Sequence, residues 1–465
     1  MIGEEARGRD DYPWFAMTAG FVRRHLGVDR AIAFTVLARG WASASGLVTV
    51  ALIARLLSPA EQGYYYTFSS LIALQMVFEL GFSQVVMQLA SHERAHLVIE
   101  SDGRISGDEA AHSRLASTLR IALRWYAIGA LIFAAALIPA GIHFFSTHQS
   151  TAAAVPWRGP WVLAASVAAF AFFLDPMYSF MEGCGFVSNV AHMRWTQAAV
   201  GSILAWIMLG SGHGLFAPAM VIGGQVAIGA LWLLGKRGLI AGLLQLKADG
   251  PGVSWNKEIW PLQWRIAISW ISGYFVYQTF NPFLFAFKGP AAAGQMGMSL
   301  SIANSLMFIA MSWVSTKAAP FGSLIAKKRY AELDRLFFKA VLQSTCVALV
   351  GVAILSSAIA YLSWTHSPYA HKVLSPVPFV LLLIAAIANH LFASIGIYLR
   401  AHKQEVLFQI SVAIALAVLL SNYIFARTVG ALGMVAGYSA IMLIFGLGGG
   451  FLRFVKYRAL WHSGQ

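Results

Sequence analysis

Charged residues are scarce in this sequence: Asp, Glu, Lys and Arg make up 11% of its 465 residues, whereas 58% of the residues are hydrophobic. A soluble core cannot bury that much apolar surface, so the composition indicates a polytopic membrane protein. Acidic residues are scarcer than basic ones, and the net charge is +14. The basic residues lie mainly between apolar runs, where the preference of cytoplasmic loops for Lys and Arg accounts for them without a nucleic-acid partner.

Several chemical signatures are also missing. The two cysteines, Cys184 and Cys346, lie far apart in sequence and do not form a disulfide framework. No G-x-x-x-x-G-K-S/T segment occurs, which argues against a transporter driven by nucleotide hydrolysis in the same chain. Residues 1–30 are mixed polar and contain five arginines, so we expect a cytoplasmic segment there rather than a cleavable signal.

Twelve apolar runs are each taken to cross a hydrocarbon layer of about 30 Å, which needs about 20 helical residues. They predict spans at 31–57, 64–90, 117–145, 160–182, 194–212, 215–235, 259–287, 292–318, 336–364, 375–400, 404–426 and 430–452. The segments on one side of these spans hold 23 Lys and Arg residues, and those on the other side hold five. This bias predicts cytoplasmic termini, in a multi-pass protein surrounded by the lipids of the cell inner membrane.

The two halves of the chain repeat one pattern. Pro59-x-x-x-Gly63 and Pro290-x-x-x-Gly294 each lead into an apolar run, at an offset of 231 residues. Six spans per half return the chain to the same side, which gives parallel repeats. We therefore predict an all-α polytopic membrane protein, with about twelve transmembrane helices in two six-helix bundles around a central cavity. The predicted segments are an amino-terminal stretch, a bundle, a cytoplasmic linker, a second bundle and a cytoplasmic tail, at 1–30, 31–235, 236–258, 259–452 and 453–465.

The first hairpin resembles a known family. Residues 55–66, RLLSPAEQGYYY, look like the first periplasmic hairpin of polysaccharide-biosynthesis and oligosaccharide flippases of the multidrug/oligosaccharidyl-lipid/polysaccharide exporter (MOP) superfamily. The resemblance implies a transporter with no enzyme activity and no cofactor. It would flip undecaprenyl-diphosphate-linked oligosaccharide to the periplasmic leaflet by alternating access, coupled to H⁺ or Na⁺. Glycan polymerases and glycosyltransferases would be its candidate partners, and the alternative is a multidrug or cation antiporter of the same superfamily.

Three ionisable residues lie deep within the predicted spans, where such groups are costly and mark functional sites. The helical rise places Arg39, Glu79 and Asp175 about 12 to 16 Å from the inner ends of their spans, so they share one depth. For a flippase-like substrate, Arg39 is the candidate that holds the diphosphate, because a guanidinium grips phosphate bidentately. Glu79 and Asp175 are candidates for binding the coupling ion. A structural ion pair between two helices is the alternative for all three.

Further basic residues lie nearer the inner face. Arg124, Arg265 and Lys317 are candidates for a basic, substrate-binding cavity rim. Alternatively, the aromatic residues beside Arg124 and Arg265 are typical of an interfacial belt with snorkelling arginines. Structural roles are expected for three residues near span ends or on polar faces: Glu182, His390 and Arg400.

Two prolines fall within predicted spans, at Asp175-Pro176 and Asn281-Pro282. A proline in the middle of a helix removes one backbone hydrogen bond and kinks the helix. We expect Pro176 and Pro282 to interrupt the fourth and seventh spans, either as hinges or as static kinks.

One motif of soluble metalloproteases is present. His92-Glu93-Arg94-Ala95-His96 fits H-E-x-x-H, which binds zinc through its two histidines and uses the glutamate as a base. A membrane zinc protease is therefore a third hypothesis. The motif falls at the inner end of the second span beside a charged loop, where a solvated helix end is the simpler interpretation.

Overall fold

The computed structural model describes residues 30–99, 105–149, 155–245, 252–402 and 404–462. The predicted cytoplasmic segment at 1–30 lies outside this range except for its last residue. Within the described residues the chain is helical apart from one short antiparallel hairpin, whose strands β1 (Leu97–Ile99) and β2 (Ile105–Gly107) pair Val98 with Ser106.

The described part of the first half contains nine α-helices. They are α1 (Arg30–Leu56), α2 (Pro59–Ile72), α3 (Gln75–Glu79), α4 (Phe82–Arg94), α5 (Glu109–His148), α6 (Arg158–Gly183), α7 (Val187–Gly210), α8 (Ala217–Leu234) and α9 (Arg237–Gln245). The α5, α6, α7 and α8 helices pack in succession, and α1 packs against α7.

The second half begins with a π-helical turn at Trp255–Ile259. Its α-helices are α10 (Trp260–Tyr277), α11 (Phe280–Lys288), α12 (Pro290–Ser315), α13 (Ala318–Ala326), α14 (Tyr330–Trp364), α15 (Pro376–Ala401), α16 (Phe408–Arg427), α17 (Ala431–Ile441) and α18 (Gly450–His462). A π-helical stretch joins α17 to α18, so one helical run extends from Ala431 to His462. The segment predicted as a separate tail from residue 453 therefore continues the last span as helix.

The predicted fold class is confirmed. Within the described residues, eight helices are long and apolar enough to cross a membrane, and the bent pair Pro59–Glu79 and Phe82–Arg94 adds a ninth. Two shorter apolar helices, Ala44–Leu56 and Ile266–Tyr277, lie in the predicted first and seventh spans. Every one of the twelve predicted spans overlaps a helical run. The chain is therefore an all-α, multi-pass membrane protein.

The second predicted span is not one continuous helix. It is bent by 46° where Leu80 and Gly81 both take positive φ angles, of 53° and 67°. Glycine adopts this left-handed conformation without a steric penalty. A larger residue would also lack room at this position, because a Cβ on Gly81 would lie 2.2 Å from the side chain of Ile266 in α10. Gly81 at the break therefore packs tightly against the second half, a contact that apolar patterning does not show.

The two prolines lie in different helical settings, and their roles as hinges or static kinks stay predictions. Pro176 lies inside α6, which continues from Arg158 to Gly183. The seventh span does break, but at Gln278 and Thr279, between α10 and α11. Pro282 lies in the first turn of α11, where a proline is tolerated because the amide it lacks would have no helical partner. The interruption predicted at Asn281-Pro282 is therefore placed a few residues too late.

Candidate functional site

The two proline–glycine turns of the repeat meet each other at one end of the molecule. A Cβ on Gly63 would lie 1.9 Å from the carbonyl oxygen of Pro290, and a Cβ on Gly294 would lie 2.4 Å from that of Pro59. The backbone of each turn thus packs directly against the glycine of the other turn, and α2 packs along α12. We call this part of the molecule the hairpin end.

Lys372 adds a second connection between the halves at the hairpin end. It lies in the short 3-10 helix before α15, and its Nζ donates to the carbonyl oxygens of Ala54 and Leu57, at 2.8 and 2.7 Å. These carbonyls end α1, where cations interact favourably with the helix dipole. Burial lowers the pKa of Lys372, and the nearby Glu61 carboxylate opposes this shift.

Aromatic side chains fill the space just inside the hairpin end. The ring of Phe285, from α11, packs against Tyr64 and Phe145 of the first half, at centroid distances of 4.9 and 5.2 Å. All three side chains are at most 1% exposed. The two halves are therefore closed against each other at this end.

A polar cluster is buried within the first half. Ser83 Oγ donates to Glu79 Oε1 at 2.5 Å, and it also lies 2.8 Å from the hydroxyl of Tyr126 and 3.2 Å from Asp175 Oδ2. Glu79, Ser83 and Tyr126 are 6%, 5% and 0% exposed. Glu79 and Asp175 were singled out from the sequence, and the structure brings both to the same serine.

The cluster spans the break in the second span. Glu79 ends α3, and Ser83 lies in the first turn of α4, on the other side of Leu80 and Gly81. These two residues have positive φ angles, and the side chains of Glu79 and Ser83 meet across them. Tyr126 is supplied by α5 and Asp175 by α6, so the cluster ties three spans of the first half together.

A cavity of about 340 Å³ lies beside the cluster. Asp175 lines this cavity. Glu79 is not among the lining residues and is hydrogen-bonded to Ser83. Arg194 and Gln197 of α7 also line the cavity, and Arg194 is half-exposed, with its nearest carboxylate, that of Glu182, at 3.7 Å. The cavity therefore gives access to one carboxyl group of the cluster and presents a cation beside it.

The predicted basic residues do not form one described group. Arg39 and Arg265 belong to α1 and α10, but their side chains lie outside the described part of the structure. Arg124 is exposed on α5, beside Trp125. Lys317 lies at the turn between α12 and α13 and is partly exposed. Substrate binding by Arg39 and a basic rim at Arg124, Arg265 and Lys317 stay predictions.

The glutamate of the H-E-x-x-H segment has a structural role. Glu93 is 4% exposed, and its Oε1 accepts from Nε of Arg114 at 2.8 Å. The rings of His92 and His96 lie 6.2 Å apart. No group of three or more His, Cys, Asp or Glu residues among those described is placed to hold a metal ion. Glu93 is thus held by an arginine rather than presented as a base.

Arg114 also anchors the start of the second half to the first. Its Nη2 pairs with Glu258, and the Val253 amide donates to Ser117 Oγ at 3.2 Å. The hydrogen bond from Arg114, together with one from the Ser254 amide, lowers the pKa of Glu258. The end of the predicted linker is therefore fixed to the first bundle.

Four residues of these contacts carry no functional signal in the sequence pattern: Ser83, Tyr126, Arg194 and Lys372. Ser83 follows Glu79 by four residues, the spacing at which side chains of a helix meet, so it was the most accessible of these from the sequence. Tyr126 contacts Ser83, which is 43 positions away in sequence, and Lys372 contacts residues more than 300 positions away. No local pattern shows such contacts.

No protein-family model and no curated protein matches this chain. Solved structures do match it. An inward-facing multidrug resistance MATE family transporter of the MOP superfamily gives a TM-score of 0.53 at 16% identity, over 89% of this chain and 98% of the other. An outward-facing structure of such a transporter gives 0.54 at 14% identity, over 94% and 98%. This chain has the fold of the MATE transporters.

A third solved structure is a MOP superfamily transporter from Pyrococcus furiosus Vc1, which gives a TM-score of 0.51 at 14% identity, over 93% of this chain and 95% of the other. That protein is described as having a binding pocket of reverse polarity, which suggests a different function for it. MATE transporters have twelve helices in two bundles, the arrangement that the hydropathy and the repeat of this chain predict.

Proposed function

We propose that this chain is a proton-coupled transporter that moves a lipid-linked oligosaccharide from the cytoplasmic to the periplasmic leaflet. Its two bundles would alternate between a state open to the inside and a state open to the outside. The MATE-type fold supports alternating access. The flippase-like hairpin at residues 55–66 supports the substrate class, with undecaprenyl diphosphate as the lipid carrier that the resemblance implies.

The contacts of Ser83 carry the proposal of proton coupling. Three oxygen–oxygen contacts meet at Ser83 Oγ, and each hydrogen bond needs one proton. The hydroxyl groups of Ser83 and Tyr126 supply two. If Glu79 and Asp175 were both ionised, one of the three contacts would bring the lone pairs of two oxygen atoms together without a proton between them. One additional proton on a carboxyl group completes the network, so the cluster favours H⁺ over Na⁺.

The closed hairpin end fits one state of such a cycle. The charge bias of the loops predicts that the hairpin end faces the periplasm. With that orientation, the contacts of Gly63, Gly294 and Lys372 close the protein to the outside. Opening this end would require the two halves to separate along α2 and α12.

The proposed function is tested with purified protein in proteoliposomes that contain a lipid-linked oligosaccharide. Flipping is measured as the fraction of glycan that becomes accessible to a glycosidase on one side, with and without a pH gradient. We expect flipping that depends on the pH gradient and no transport of ethidium. Transport of ethidium without glycan flipping would replace the proposal with the multidrug antiporter. A Na⁺ gradient that drives flipping when the pH gradient does not would contradict the proton coupling.

A further inference from the structure

The second half contains two adjoining cavities that share Arg400 and Ser269. The first, of about 530 Å³, has aromatic walls that include Trp264, Trp270 and Phe408. The second, of about 330 Å³, continues along α10 and α15. Arg400 lies in the last turn of α15, and the charge bias of the loops predicts that this end faces the cytoplasm.

The second cavity combines apolar walls with a few polar groups. The face of α10 that lines this cavity has small residues at Ser269, Ser272 and Gly273. No atom lies within 4 Å of a Cβ built on Gly273. At its far end the Tyr277 hydroxyl donates to Asn389 Oδ1 at 2.8 Å. Asn389 precedes Arg400 by eleven residues, which is about 16 Å along a helix. Small-molecule sites are typically built in this way.

The guanidinium of Arg400 is available at the junction of the two cavities. Its side chain folds back along α15, so that Nη2 lies 3.7 Å from a Cβ built on Gly396. The Nε atom of Arg400 lies 3.6 Å from Oε1 of Glu405, and both side chains are more than half exposed. Exposed ion pairs of this kind contribute little to stability. A phosphate group can therefore take the place of Glu405 at modest cost.

We propose that Arg400 binds the phosphate or diphosphate group of an amphiphilic ester at this junction. The apolar chain of the ligand lies against Trp264, Trp270 and Phe408, and its hydroxyl-rich part enters the polar cavity toward Tyr277 and Asn389. This proposal rests on the proposed function, because it assigns to the second bundle a site for the lipid-linked glycan. It also revises the structural role that the sequence suggested for Arg400.

The first test measures binding to the full chain in detergent by native mass spectrometry. The probes are farnesyl diphosphate, farnesol, inorganic pyrophosphate and phosphatidylglycerol. We expect farnesyl diphosphate to bind most tightly and Arg400→Gln to weaken it about tenfold or more, since a charge-assisted hydrogen bond is lost. The control is Arg427→Gln, an exposed arginine in the last turn of α16, which should leave binding unchanged. Equal binding of phosphatidylglycerol, with the same dependence on Arg400, would identify a general lipid site and overturn the proposal.

A second variant tests the polar cavity. Gly273→Leu adds a side chain to this cavity at a position where a Cβ has no atom within 4 Å, and Gly322→Leu adds the same side chain on α13 at a position where a Cβ is equally unobstructed. We expect Gly273→Leu to abolish glycan flipping while farnesyl diphosphate still binds, and Gly322→Leu to flip normally. Unchanged farnesyl diphosphate binding in Arg400→Gln would overturn this site even if wild-type protein flips glycan. Binding that depends on Arg400 in a protein that flips no glycan would support the site and reject the proposed function.

Discussion

Gly63 lies directly against the carbonyl oxygen of Pro290, so closely that a Cβ would be 1.9 Å from that oxygen. The reciprocal contact joins Gly294 to Pro59. The same four-residue spacing thus serves both halves of an internal repeat, and each half supplies the surface that the glycine of the other requires. This reciprocity makes the hairpin end a closed contact between two similar bundles.

We predict that Gly63→Ala opens the hairpin end. The added methyl group meets backbone rather than a movable side chain, and overpacking of this kind costs roughly 1–3 kcal/mol. Spin labels at the exposed positions Arg55 and Thr428, one in each half, should report a longer distance by double electron–electron resonance. Gly223→Ala is the control, because a Cβ there has nothing within 4 Å. An unchanged distance in Gly63→Ala would show that this contact does not hold the halves together.

Lys372→Gln should loosen the same end by a different route, because it removes two charge-assisted hydrogen bonds to α1. Lys288 provides a matched control. Its Nζ donates at 3.3 Å to the carbonyl oxygens of Arg427 and Thr428, which end a helix of its own half. Both substitutions should lower the melting temperature, but Lys372→Gln alone should lengthen the distance between the labels. The same lengthening in Lys288→Gln would assign the effect to general destabilisation.

The sequence predicted the fold far better than it predicted the contacts. Each span is an apolar run, because a lipid-exposed backbone must satisfy its hydrogen bonds within its own helix, so hydropathy locates spans locally. The match between Pro59-x-x-x-Gly63 and Pro290-x-x-x-Gly294 showed the repeat but not that the two turns touch. Gly81, at the bend, packs against Ile266 of the other half, a contact that hydropathy does not show. Tertiary packing decides such features.

The pairing of Arg114 with Glu258 predicts a pH dependence of stability. This pairing lowers the pKa of Glu258, so its stabilising contribution is present above the usual carboxyl pKa of about 4.3 and is lost as the pH falls through the lower pKa of the folded protein. Glu258→Gln should therefore melt at a lower temperature than wild type at pH 7. The difference should shrink as the pH is lowered below about 4. A difference that grows on acidification would contradict the assignment.

The H-E-x-x-H segment should be dispensable for transport. Because Glu93 is held by Arg114, the double substitution His92→Ala, His96→Ala should leave glycan flipping and folding unchanged. Metal analysis of the purified wild-type protein should find no stoichiometric zinc. Zinc bound in wild type and lost with activity in the double variant would instead favour the protease hypothesis.

In the proposed transport cycle, one proton binds to and leaves the cluster of Glu79, Ser83 and Asp175. Asp175→Asn offers an amide hydrogen to Ser83 in place of that proton, so the variant should fold, bind substrate and lose coupling. Glu182→Gln, on the same helix but outside the cluster, is the control. The decisive measurement is proton flux with a pH-sensitive dye during glycan flipping in proteoliposomes. We predict proton movement in wild type and Glu182→Gln and none in Asp175→Asn; flux equal to wild type in Asp175→Asn would contradict the account.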